Sequence, residues 1–143
     1  MPLRPARTAW ATATAGTPLA SDGVPAGALP IGVRLGATDK ASYLTVSGTA
    51  TSLILREDAA GGRAPETAVV QACLITEPGW AGGEAMSFDD APAHDPERCV
   101  AGVRSADGAW SFDLSAYDDR GGDAGFALIP GPDAPVDFQV ALR

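Results

Sequence analysis

The chain has 143 residues, 45% of them hydrophobic, and a net charge of −8. That length holds one domain with one core, and so acidic a surface argues against nucleic acid or an anionic membrane as partner. No run of about 18 apolar residues occurs, so no segment is suited to inserting into a bilayer as a spanning helix.

The glycines and prolines, 17 and 12 of them, are spread along the chain and favour many short elements over long helices. Residues 1–20 are small and polar, with Pro2, Pro5 and Pro18, and read as an extended arm or leader with some strand near "TAWATATA". Arg4 and Arg7 are not followed by an apolar stretch, so the start is no secretion signal as it stands. After a turn-rich segment at 21–30, the pattern becomes strand-like. "IGVRLG" (31–36), "ASYLTVSG" (41–48) and "TATSLILRE" (49–57) alternate, and "TAVVQACLIT" (67–76) is a nearly continuous apolar run suited to a strand covered on both faces. "RCVAGVRS" (98–105) alternates moderately, and "DGAWSFDLSAY" (107–117) places Trp110, Phe112 and Leu114 on one face. "SAYDDR" (115–120) has room for one helical turn. "AGFALIPG" (124–131) and "PVDFQVALR" (135–143) complete the set, the last with Val136, Phe138, Val140 and Leu142 predicted to face inward. Short strands at this spacing, divided by Gly-Gly, Asp-Gly and Pro-Gly turns, predict an all-β protein: an antiparallel β-sandwich, jelly-roll-like, over residues 21–143. The abrupt end in a strand suggests a domain cut from a longer chain.

The chemistry-bearing residues concentrate in "ACLITEPGWAGGEAMSFDDAPAHDPERC", residues 72–99. Cys73 lies in one strand and Cys99 opens another, so a strand-to-strand disulfide is the first reading and a pair of buried thiols the second. A metal site would want more soft ligands, and a nucleophilic cysteine would want a base, for which only His94 is present. A disulfide implies an oxidising compartment and hence export. Glu84, Asp89, Asp90, Asp95 and Glu97 could act as acid and base or bind calcium, but their spacing matches no EF-hand loop, and "DDAP" also reads as turn chemistry. Asp118, Asp119 and Asp123, with Arg120 among them, form a second acidic cluster open to the same readings. His94 reads as a surface loop residue, since no Ser-His-Asp pattern or nucleophile elbow accompanies it. Trp80, between glycines, is either a lid over the end of the sandwich or a platform for a sugar ring. Trp10 is placed to dock on the domain or on a partner.

The order of these features resembles the DNRLRE (disaggregatase-related) domains and similar actinobacterial surface domains. The resemblance spans about residues 29–143 and rests on Tyr43 and Leu44, Leu53 to Leu55, Trp80 to Glu84, Phe88 to Pro92, Trp110 to Leu114 and Gly125 to Pro130. Phe88 stands where that pattern has a second tryptophan, and "DDRGGD" replaces a tryptophan-containing segment. The resemblance implies a jelly-roll-like sandwich similar to carbohydrate-binding modules, in secreted or cell-surface proteins, without shared catalytic residues. The expectation is therefore a non-catalytic extracellular or cell-surface module for adhesion, wall association or carbohydrate binding. Its binding edge would lie at Trp80, Glu84, Asp89 and Asp90, and its partner would be a glycan or another surface protein. One alternative is a structural subunit or display module making contacts through the arm and the terminal strand. The other is a hydrolase using the loop carboxylates.

Overall fold

Alternation of side chains decides which strands form here and what each face buries. The computed structural model describes residues 3–47, 51–77, 79–117 and 125–143. Among the described residues there are eleven strands: β1 (Arg4–Thr12), β2 (Leu29–Arg34), β3 (Ala37–Ser47), β4 (Ser52–Arg56), β5 (Val70–Ile75), β6 (Gly83–Met86), β7 (His94–Ala101), β8 (Val103–Arg104), β9 (Ala109–Asp113), β10 (Gly125–Pro130) and β11 (Phe138–Leu142). The protein is an all-β sandwich. Its large sheet runs β11-β2-β3-β10-β5-β7, with β1 on the other side of β3 and β6 outside β1; its small sheet is β4-β9-β8. Neighbours in the large sheet that are far apart in sequence, such as β3 and β10, require the chain to cross between sheets.

The core lies between the two sheets. The small sheet contributes Leu53 and Leu55 from β4 and Trp110 and Phe112 from β9, opposed in register as Leu53 to Phe112 and Leu55 to Trp110. The large sheet answers with Leu44, Val46, Leu74, Phe126, Leu128, Phe138, Val140 and Leu142. Close packing at one point depends on a glycine: a Cβ on Gly102 would sit 2.6 Å from the Phe112 ring and 3.0 Å from that of Trp110. β11 also joins the sheets along one side. Arg56 and Arg143 exchange backbone hydrogen bonds of 2.9 Å, and the Asp58 N–H donates to the Ala141 carbonyl at 2.8 Å.

Several boundaries differ from the sequence expectation. Within the segment read as an arm, Arg4–Thr12 is a strand paired along β3 from Ser47 to Lys40, and Trp10 is buried in the domain. Val136, expected to face inward, is 71% exposed. It precedes β11, so no ladder fixes its side; instead its carbonyl accepts the Gly36 N–H at 2.9 Å. β11 buries Gln139 and Ala141 as well as Phe138, Val140 and Leu142, because both its faces are covered. β7 begins at His94 rather than near residue 98, and β6 had no predicted counterpart; it runs parallel to β1, the one parallel pairing among the described residues. The possible helical turn at 115–120 lies partly outside the described residues, as do Asp118, Asp119, Arg120 and Asp123.

Candidate functional site

Both faces of the large sheet are covered, and the cysteine-bounded segment supplies part of the second cover. Cys73 on β5 lies directly opposite Cys99 on β7, and the two form a disulfide with Cα atoms 4.0 Å apart. Beyond Cys73 the neck of the excursion is closed by the Thr76 N–H donating to the Ala93 carbonyl (2.9 Å) and the Ala93 N–H donating to Glu77 Oε1 (2.9 Å). The chain then crosses the outer face of the large sheet, adds β6 beside β1, and makes a single 3-10 turn at Phe88–Asp90. Ser87 caps that turn by accepting the Asp89 N–H at 3.2 Å, which is why "SFDD" bends there.

The underside of the excursion is apolar. Trp80, Met86, Phe88 and Ala91 pack, with Ile75 and Ile129, on Ala9, Ala11, Ala41, Tyr43 and Ala127. The small side chains of β1 and β3 leave room for this second layer. Burial pushes the Tyr43 hydroxyl up to about 12, so it stays neutral. Trp80 is half-buried, and its indole nitrogen lies over Gly125, where an added Cβ would stand 3.4 Å away. The Arg7 guanidinium sits 5.6 Å from the centre of the Trp80 ring and donates to its carbonyl at 2.8 Å. Trp80 therefore closes the second layer without being fully buried, with a cation beside its ring.

The predicted acids occupy the upper side. Glu84, on β6, and Asp89 and Asp90, in the 3-10 turn, are all exposed. Glu84 precedes Ala85, whose positive φ of 53° accompanies the irregular register between β6 and β1. His94 is not a loop residue: it opens β7 opposite Ile75 and is half-buried. Asp95 and Glu97 also lie on β7, where Asp95 Oδ1 accepts the Glu97 N–H at 2.9 Å. Among the described residues, no three His, Cys, Asp or Glu side chains converge closely enough to hold a metal ion. No helix among them is long and apolar enough to cross a membrane.

Two polar clusters had no sequence expectation. Glu57, just past β4, accepts from Arg104 Nε (2.5 Å) and Nη2 (3.0 Å) and from Trp110 Nε1 (2.7 Å). Burial raises the Glu57 pKa, but the hydrogen bonds from Arg104 and Trp110 and the charge of Arg104 outweigh it and hold the carboxyl below its usual range. The second cluster surrounds Lys40, the only lysine. Register slips between β2 and β3 at this point, with Gly32 opposite Lys40 and Val33 opposite Thr38. That bulge at Asp39 lets consecutive side chains meet, and Lys40 Nζ donates to Asp39 Oδ2 at 2.8 Å with both groups buried. Gln139, also buried, donates to the carbonyls of Gly61 (3.0 Å) and Gly23 (3.2 Å). Neither cluster was visible in the sequence, because each joins residues whose side-chain direction depends on a strand end or a bulge. Compared with family models, curated proteins and solved structures, the chain matches none of them.

Proposed function

We propose that this protein is a non-catalytic extracellular or cell-surface β-sandwich module, acting in adhesion, wall association or carbohydrate binding through the edge formed by Trp80, Glu84, Asp89 and Asp90. The observation that carries the proposal is the state of Trp80. Trp80 is half-buried, its indole is held from below by the second apolar layer, and Arg7 lies against it. A rigid, partly exposed aromatic beside hydrogen-bonding groups is what stacking on a sugar ring requires, since the apolar face of the ring covers the indole and its hydroxyls meet polar neighbours. Exposed carboxylates on the same excursion offer acceptors for those hydroxyls. The Cys73–Cys99 bridge fits an oxidising compartment, and the resemblance to DNRLRE domains points to the same setting.

A glycan array probed with the wild-type chain and with Trp80→Ala tests this reading. Binding to a defined class of glycan, lost or reduced by roughly tenfold or more in the variant, is the expected result. The absence of binding across the array, or binding that Trp80→Ala leaves intact, would refute it. The alternative, a structural or display subunit, needs a contact surface other than the one first expected. The arm and the terminal strand are built into the large sheet: β1 lies between β3 and β6, and every residue of β11 is buried.

A further inference from the structure

The small sheet turns its second face to solvent. Its outward side chains are Ser52, Ile54 and Arg56 on β4, Ala109, Ser111 and Asp113 on β9, and Val103 on β8. Ile54, Ser111 and Val103 share one cross-strand row, so two β-branched apolar side chains flank a serine at the centre of the face. Ile54 is 59% and Val103 66% exposed. Charge is placed on this face with polarity. Arg56 stands beside Ala109 at one end, and Asp113 stands beside Ser52 at the other.

That pattern complements itself. A two-fold axis laid along the Ile54–Ser111–Val103 row sets each of these residues against its own counterpart and reverses the strand direction. Arg56 of one copy then lies over Ser52 of the other, one strand spacing from that copy's Asp113. The symmetric contact occurs twice. Sheets packed face to face stand about 10 Å apart, a gap that an arginine side chain spans. Among the described residues the Arg56 guanidinium meets one loose exposed partner, Asp107 at 3.6 Å, which it can leave by turning. We propose that the outer face of the small sheet is a self-association surface whose partner is a second copy of this chain. The contact is isologous, with an apolar strip at its centre and an Arg56–Asp113 ion pair at each end.

This inference does not rest on glycan binding at Trp80, which lies on the other layer. Three short strands make a small face beside the ~800 Å² per partner of a stable interface. Each copy also carries a net charge of −8. The contact is accordingly weak in dilute solution and becomes significant where copies are held side by side.

Sedimentation velocity on the full chain over a wide concentration range tests the proposal. A reversible monomer–dimer equilibrium is expected. Val103→Asp should weaken it by roughly tenfold or more, because it places a charge in the Ile54–Ser111–Val103 row that the contact buries. Arg56→Asp and Asp113→Arg should each weaken it, and the doubly exchanged chain should recover it. Asp113 also accepts the Ser115 N–H at 3.0 Å, so its substitution disturbs a local turn; Val103→Asp touches no such bond and keeps the test independent of that effect. A chain that stays monomeric at the highest concentration overturns the proposal. So does a dimer that Val103→Asp leaves unchanged, or one that the double exchange fails to restore in a chain whose circular dichroism is native.

Discussion

Glu57 shows how one side chain can tie the three strands of the small sheet together. Its carboxylate accepts the indole N–H of Trp110, the largest fully buried side chain, and N–H donors on two of the guanidinium nitrogens of Arg104. Without it, a buried N–H and a half-buried cation would lose their acceptor. Glu57→Ala is therefore expected to cost about 1–3 kcal/mol, read from urea denaturation. Titration adds a second signature. The folded-state pKa of Glu57 is lowered, so its contribution is present above the unfolded carboxylate pKa of about 4.3 and is lost as pH falls through the lower folded value. Asp58, half-buried and held down by Arg143 and the Ala60 N–H, and Asp107, exposed and held down by Ser105 and the Ala109 N–H, shift in the same direction. Stability should fall on acidification below about pH 4. Glu57→Gln, which cannot ionise, should flatten that acid limb. An unchanged pH profile in Glu57→Gln would show that the Arg104 pairing contributes nothing to it. None of this was legible beforehand, because "LREDAAGG" looks like an ordinary exposed strand end until the small sheet brings Arg104 and Trp110 to it.

At the scale of elements, what could be read was whatever depended on period alone. Trp110, Phe112 and Leu114 are all buried as alternation requires, and the continuous apolar run around Cys73 is a strand whose successive residues Ala72, Cys73 and Leu74 are all buried, so both its faces are covered. What could not be read was pairing at a distance. β6 is four residues rich in small side chains, and it becomes a strand only because β1 offers an edge. The bridge between β5 and β7 was favoured in the sequence because each cysteine fell in a strand, but direct opposition of the two needed the fold. Its consequence can be measured. The cysteines are 26 residues apart, and on the chain-entropy model a cross-link of that span contributes about 3–4 kcal/mol. The Cys73→Ala/Cys99→Ala chain should lose about that much in urea denaturation. β5 and β7 should stay paired, because Gln71–Ala101 and Ala72–Val100 remain in register. Amide exchange should rise chiefly in residues 79–92, whose lid over Tyr43 and Ala127 is tethered at that neck. A uniform rise throughout the large sheet would instead assign the bridge to the global fold.

For the whole molecule, the main departure from the sequence reading concerns its first residues. Small polar side chains and three prolines made residues 1–20 look like an arm, because composition registers low hydrophobicity but not what the neighbours supply. In β1 the smallness is the point. Ala9 and Ala11 are fully buried where the 79–92 excursion crosses the sheet, and larger side chains there would hold Trp80, Met86 and Phe88 off Tyr43. β1 thus connects two elements that do not otherwise meet along an edge, β3 on one side and β6 on the other. A chain lacking residues 1–12 should therefore lose more than a tail. It would expose the β3 edge from Lys40 to Ser47, remove the buried Trp10, and leave β6 without a partner. An unpaired edge beside uncovered apolar surface is an aggregation site. The expected outcome is a truncated chain that aggregates or unfolds at temperatures where the full chain is native, followed by light scattering and circular dichroism. An independent arm predicts the opposite: a truncated chain with the same melting transition, monodisperse, and with the Cys73–Cys99 region equally protected from exchange. Trp10→Ala separates the two contributions of β1. It keeps the edge paired and removes only the buried ring, so it should cost about 3–5 kcal/mol without the scattering that deletion produces.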